Sequence, residues 1–165
     1  MNLRISVFLL VLPISSHAAE GFILKAGEGE ILGNGIVIKA SPAIGTQRSI
    51  MVEQSFPLEG STGLHLHEQG DELFYVVSGQ GSATLGESES PIGPGDVIFV
   101  PAGSIHRIRN LDYEEPLVVV FFMDSPELVD QFREMHEKAM ENPDRRLTLD
   151  ECTPSALVGQ FKVIV

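Results

Sequence analysis

The chain has 165 residues, 43% of them hydrophobic, and carries a formal charge of -12 from 11 lysines and arginines against 23 acids. That length supports one domain with a real core and leaves little room for a second, and apolar content with scattered charge excludes a disordered chain. The acidic excess without clustered Lys or Arg argues against nucleic-acid or anionic-membrane binding, and the single Cys152 excludes an internal disulfide.

Residues 1–19, MNLRISVFLLVLPISSHAA, read as a secretory signal, with Arg4 as the positive start, an apolar run from Ile5 to Leu12 and a small-residue cleavage zone ending at Ala19. A buried N-terminal strand or helix fits Pro13 and the small-residue exit less well. The apolar run falls well short of the roughly 20 residues that cross a bilayer, so export to the periplasm or exterior without a membrane anchor is expected. Arg4 is the only charged side chain of this leader, so its removal takes the formal charge from -12 to -13.

β-Branched and alternating runs then recur at Ile36–Ile38, Ser49–Phe56, Leu64–His67, Leu73–Val77, Ser82–Leu85, Asp96–Val100, Ile105–Arg109 and Leu117–Met123. Turn residues separate them: Gly33-Asn34-Gly35, Gly60, Gly70-Asp71, Gly79, Gly86, Pro91, Gly93-Pro94-Gly95 and Pro101-Ala102-Gly103. Many short strands at this spacing predict an all-β sandwich or barrel and exclude a βαβ fold. From Ser125 the texture changes. Ser125 is the expected N-cap, Pro126 occupies the first helical position, and Leu128, Phe132, Met135 and Ala139 recur at helical spacing. Asp130, Arg133, Glu134 and Lys138 are left for solvent, and Asn142-Pro143 stops the helix after about Glu141. His136 reads as a packing or surface residue, and Cys152 as a small buried apolar one. The tail predicts a helical turn near Pro154–Val158 and an apolar end able to pair as a strand. The expected organisation is a signal (1–19), a β-domain (20–124), and a C-terminal helix with a closing segment (125–165).

The chemistry concentrates in "HLHEQGDELFYVVSG", residues 65–79. Strand alternation aims His65 and His67 to one side and Leu64 and Leu66 to the other. Glu68 to Asp71 form a polar turn with solvated acids, and Glu72 opens the next strand. If the two strands form a hairpin about 5 Å apart, Glu72 comes within reach of a cation held by the histidines. Alone, the segment suits a polar hairpin as well as a mixed nitrogen and oxygen cage for a divalent metal. A second segment, "GPGDVIFVPAGSIHRIRN" at 93–110, places His106, Ile108 and Asn110 on one face of a strand, with Arg107 and Arg109 on the other.

Together the two segments resemble the paired motifs of the cupin superfamily. His65, His67, Glu72 and Gly79 match the first motif, and Gly95, Pro101, Gly103, His106 and Asn110 match the second. The motif pair spans about fifty residues. One position departs from it: the family's leading glycine is Glu59 here, with Gly60 one place later. The resemblance implies a cupin barrel (a double-stranded β-helix, or jelly roll) with one divalent transition metal, Fe, Mn, Ni, Cu or Zn, held inside by His65, His67, His106 and Glu72. Four protein ligands leave a position open on an ion that prefers five or six.

The segment after the second motif is similar in pattern to the single-domain cupins grouped near quercetin dioxygenase. That similarity implies a metal-dependent dioxygenase acting on a small aromatic or enolic substrate, with Glu72 doubling as ligand and general base. Alternation then gives the cavity lining as Ile50, Val52, Phe56, Phe74 and Val76, with Gln54 as a polar contact. Two alternatives keep the same ligands: a Lewis-acid isomerase or lyase of a sugar acid or related carboxylate, with Arg48 as anchor if it points inward, and a non-catalytic metal or small-ligand binding protein. By analogy with paired cupins a homodimer is expected, with the run from Gly21 to Ala40 available for pairing.

Overall fold

In the computed structural model, which describes residues 20–141 and 161–163, the alternating runs become strands whose inward side chains make one core. The strands are β1 (Glu30–Ile31), β2 (Ile36–Ala40), β3 (Ile50–Phe56), β4 (His65–His67), β5 (Glu72–Ser78), β6 (Gly81–Leu85), β7 (Ser88–Ile92), β8 (Val97–Val100), β9 (His106–Asn110) and β10 (Leu117–Met123). Helix α1 (Glu127–Glu141) and β11 (Phe161–Val163) follow. They build two antiparallel sheets, ordered β1-β2-β3-β10-β5-β8 and β11-β4-β9-β6-β7. Ile50, Val52, Phe74, Val100, Val119 and Phe121 face Ala83, Ile92 and Ile108 of the second sheet across the interior. This is the predicted all-β barrel with a C-terminal helix.

Two strands escape the sequence reading for physical reasons. β7, SESPI, exposes four of its five residues and contains Pro91, which the sequence reading placed in a turn. Among the described residues it pairs only with β6 and ends its sheet, where a proline with no N–H to donate is tolerated. β1 is two residues long, too short to show a period. The apolar end predicted to pair does so, as β11 runs antiparallel to β4 with Phe161 opposite His67 and Val163 opposite His65. The leader 1–19, Cys152 and the turn expected near Pro154–Val158 lie outside the described residues.

Helix α1 buries Leu128 and Val129 and packs Phe132 onto the core, with its ring 6.1 Å from that of Phe121. Arg133 is not left to solvent as expected. It donates Nε and Nη2 to the two carboxylate oxygens of Glu30, both at 2.7 Å, and this contact holds the Glu30 carboxyl below its ordinary value. His136 accepts a hydrogen bond at Nδ1 from the Gly33 backbone N–H (2.9 Å), which gives its packing role a definite partner. These three bonds fasten the helix to the strand pair β1 and β2, a long-range contact that helical periodicity does not contain.

The departure from the cupin pattern at Glu59 leaves a mark on the backbone. Glu59 has φ 62, a left-handed conformation that costs a residue with a Cβ roughly 1–2 kcal/mol and glycine almost nothing. The tight turn, closed by Gly60 N–H donating to Pro57 O at 2.9 Å, imposes it. Glu59→Gly is therefore expected to raise stability by about 0.5–1 kcal/mol, the strain relieved less the extra unfolded-chain entropy of glycine. Urea denaturation reads this as a higher midpoint with an unchanged slope; an unchanged or lower midpoint would show that the turn carries no strain.

Candidate metal centre

β4 is only three residues long, bounded by Gly63 and Gly70 with φ 58 and 80, and its alternation turns His65 and His67 inward with Leu66 between them. β9 lies beside β4 with His106 directly opposite His65, and their ring centroids are 4.1 Å apart. Three imidazoles thus project from one sheet into the barrel. Glu72 comes from the other sheet, where it opens β5. The expected hairpin is therefore not the device that assembles the site: β4 and β5 belong to opposing sheets, and the carboxylate reaches the histidines across the interior.

The donor atoms of His65, His67, Glu72 and His106 all lie within 4.8 Å of one another. Glu72 Oε2 is 3.0 Å from His106 Nε2 and 3.3 Å from His67 Nε2. None of the four residues is more than 7% exposed. Burying that much polarity is costly unless something satisfies it, yet Glu72 Oε2 and His106 Nε2 complete no well-aligned hydrogen bond. The other ring nitrogens of His65 and His106 are occupied. Nδ1 of His65 donates to Gly63 O (3.1 Å) and Nδ1 of His106 donates to Ser104 O (3.0 Å). A carbonyl oxygen only accepts, so each bond places a proton on Nδ1 and leaves Nε2 as the nitrogen that faces the cluster, the atom a metal would take.

Electrostatics favour the same state for His65. Burial, followed by repulsion from His106 and His67, pushes the His65 imidazole down to about 3, so it is neutral at physiological pH. Burial alone would raise the Glu72 carboxyl, but the contacts with His106 and His67 outweigh it and hold the carboxyl below its ordinary value. One carboxylate oxygen beside three imidazole nitrogens is a donor set fit for a divalent transition metal.

The turns of the two segments are tied together around the site. Ala102 N–H donates to Asp71 Oδ1 (3.0 Å) and Gly103 N–H donates to His67 O (2.6 Å). Asp71 is exposed as expected, and it also locks the loop before His106 to the turn after His67. Gly103, at φ 77, supplies the left-handed backbone this contact needs.

Register decides which apolar residues stand near the donors. Ile50, Met123, Glu72 and Val100 form one row across the six-stranded sheet, and Val52, Phe121, Phe74 and Ile98 form the next. Phe74 also lies near His106, with ring centroids 6.3 Å apart. Gln54 and Val76 share a row with Val119, four residues from the Glu72 row, or about 13 Å along the strands. Phe56 lies further still, opposite Leu117. The structure therefore brings Ile50, Val52 and Phe74 towards the cluster and leaves Gln54, Val76 and Phe56 at the far end. Met123 and Val100 take their place, and only strand pairing could have revealed them. Arg48 points outward, exposed and paired with Asp124 at 3.1 Å, so the condition for its role as an inward carboxylate anchor is not met. A surface cavity of about 400 Å³, lined by Leu85, Gly86, Pro101, Gly103, Ser104 and Ile105, borders the start of the His106 strand.

Comparison with known proteins gives this geometry a family. A model of the Cupin domain matches residues 52–123, which include all four donors. The oxalate-binding protein of Thermotoga maritima is 30% identical over 87 residues, covering 53% of this chain and 70% of that protein. The chain belongs to the cupin superfamily. The quercetin 2,3-dioxygenase of Bacillus subtilis is 31% identical to this cupin over 94 residues, 55% of the chain and 28% of the dioxygenase. Among solved structures, a predicted oxalate decarboxylase from Thermotoga maritima superimposes with a TM-score of 0.51 at 26% identity, over 55% of the chain and 78% of that protein. The cupin spans about half the length of some relatives, 49% of an uncharacterized protein of Methanocaldococcus jannaschii.

Proposed function

We propose that this cupin is an exported, metal-dependent dioxygenase acting on a small aromatic or enolic substrate. The observation that carries the reading is the donor cluster itself: three imidazoles and one carboxylate, buried beside Phe74, Ile50, Met123 and Val100. Among the described residues, the buried polar side chains include no lysine or arginine. A carboxylate or phosphate substrate calls for such a cation, whereas a planar phenol or enol suits apolar walls with a single charged centre.

When bound, the metal supplies a Lewis-acid and redox centre that brings an enolate and dioxygen together. The chain's own residues do the rest. His65 and His106, oriented by the Gly63 and Ser104 carbonyls, present fixed Nε2 atoms. Glu72 offers one oxygen to the cluster and accepts the substrate hydroxyl proton as general base. Phe74 and Met123, buried in the rows beside the donors, exclude water. Residues 1–19 direct the protein out of the cytoplasm, a step that N-terminal sequencing of the mature protein tests.

A second reading, metal-dependent binding of a small carboxylate, is favoured by the 30% identity to the oxalate-binding protein. One experiment separates the two. Protein loaded in turn with Fe, Mn, Ni, Cu and Zn is assayed for oxygen uptake with flavonols and catechols, and for oxalate binding by calorimetry. The dioxygenase reading expects uptake with at least one metal, abolished by Glu72→Gln. Saturable oxalate binding without uptake would replace it with the binding reading. Oxygen-independent turnover of sugar acids would replace it with the isomerase or lyase reading.

A further inference from the structure

Among the described residues, the buried polar side chains outside the donor cluster are Ser41, Ser82, Asn110 and Ser125. Three of them have partners. Ser82 Oγ donates to Glu89 Oε1 at 2.6 Å, Ser125 Oγ donates to Glu127 Oε2 at 3.2 Å, and the Asn110 amide donates to backbone carbonyls. Ser41 is the exception: it is 0% exposed, and its Oγ completes no hydrogen bond among the described residues. A buried hydroxyl without a partner costs stability, so a fold that keeps one calls for a reason.

The backbone shows how Ser41 comes to lie inside. Along β2, Ile36 and Ile38 are buried, and strict alternation would turn Ala40 inward next. A bulge intervenes. Ile38 pairs with Val52 but Ala40 pairs with Met51, so the strand takes up one extra residue between them. The alternation flips, Ala40 stays partly exposed, and Ser41 is buried in its place. Bulges re-aim side chains in this way and recur next to active sites. The Ser41 carbonyl accepts from Ile44 N–H at 2.9 Å and from Thr46 N–H at 3.2 Å, which fixes the backbone that carries the hydroxyl.

The position belongs to the donor row. Continuing the register from Ala40 and Met51 sets Ser41 beside Ile50, and the row runs on from Ile50 through Met123 to Glu72. Three strand spacings separate Ser41 from Glu72, at most about 14 Å along the wall. Both polar groups stand in one row of the inner face of the sheet, with the buried Ile50 and Met123 between them.

We infer that Ser41 Oγ is a substrate-binding group, which hydrogen-bonds a hydroxyl or carbonyl of an aromatic substrate whose other polar end sits at the donor cluster. The inference rests on the aromatic-substrate reading above and adds a length to it. A two-carbon diacid such as oxalate is too short to reach from the donors to β2. A multi-ring aromatic spans the row and lays its apolar middle on Ile50 and Met123. A hydroxyl both donates and accepts, so either kind of polar group on the far ring suits Ser41.

Two measurements on Ser41→Ala test this. In thermal unfolding of the metal-free protein, removal of an unpartnered hydroxyl is expected to raise Tm by about 3 °C. A serine with a structural role would lower it. The second measurement is calorimetric binding to the zinc-loaded protein, because zinc has no redox chemistry and leaves the ligand intact. It compares quercetin, which carries hydroxyls on its outer rings, with 3-hydroxyflavone, which lacks them. Ser41→Ala is expected to weaken quercetin binding by about 5–10-fold, the usual worth of one hydrogen bond, and to leave 3-hydroxyflavone unchanged. Stability gained while ligand preference is lost marks a group kept for binding. An unchanged or lower Tm, undiminished quercetin binding, or equal weakening of both ligands overturns the role of Ser41 and leaves the aromatic-substrate reading standing. Failure of the wild-type protein to bind either flavonol overturns both.

Discussion

His106→Ala should lower the affinity of the protein for a divalent transition metal by more than about 100-fold. Loss of an outer partner of a metal ligand costs about 10–100-fold, and His106 belongs to the donor set itself. Its ring is fully buried, its Nδ1 is fixed by Ser104 O, and its Nε2 lies 3.0 Å from Glu72 Oε2. Calorimetric titration of the metal-free proteins measures the ratio directly. The same linkage makes the metal a stabiliser of the fold. At a free metal concentration 100 times Kd it contributes about 2.7 kcal/mol, so chelation should lower the wild-type Tm by roughly 10 °C. The His106→Ala protein should show little of that shift. Equal responses of the two proteins to a chelator would mean that the cluster holds no ion.

Asn110→Ala is expected to destabilise the protein by about 3–4 kcal/mol without touching the donor cluster. Asn110 is 1% exposed, and its amide nitrogen donates to Phe56 O (3.1 Å), Pro57 O (3.1 Å) and Glu115 O (3.0 Å). Its Oδ1 accepts from Asp112 N–H (2.8 Å). One side chain thus closes both the loop after β3 and the loop before β10. Truncation leaves the buried Phe56 carbonyl and three part-buried backbone groups without this partner, at about 1–3 kcal/mol for each one that water cannot reach. Against a usual total of 5–15 kcal/mol this is a large fraction. Asn110→Asp, which has no N–H to donate and adds a buried charge, should be no better. Urea denaturation gives the loss, and metal titration of the folded variant at low temperature should give near wild-type affinity. A loss below about 1 kcal/mol would show that water replaces the amide, in line with surface substitutions. Asn110 belongs to the second cupin motif, and its contacts make it a clamp between loops, four residues along β9 from the donor His106.

Much of the local structure could be read directly from the residues. Alternation in "HLH" turns two imidazoles to one side, the helix begins where Pro126 allows, and most strands lie within a residue or two of their apolar runs. Where local signals failed, the reason was the absence of a period. β7 is polar and carries Pro91, and β1 spans two residues. The ion pair of Arg133 with Glu30 joins residues 103 apart, so a helical wheel assigns Arg133 to solvent.

The sequence alone determined the strands other than β1 and β7, the helix, and which face of β4, β5 and β9 carries the donors, because side-chain direction in a strand depends only on counting by two. Tertiary structure decided everything that depends on which strand lies opposite which. It placed Glu72 in the sheet facing the histidines and not in a hairpin beside them. It set Met123 and Val100 in the donor row while moving Gln54 and Val76 away, and it turned Arg48 outward to Asp124. Pairing and register are long-range choices, made by backbone hydrogen bonds and core packing between segments far apart in the chain. No period within a single segment records them.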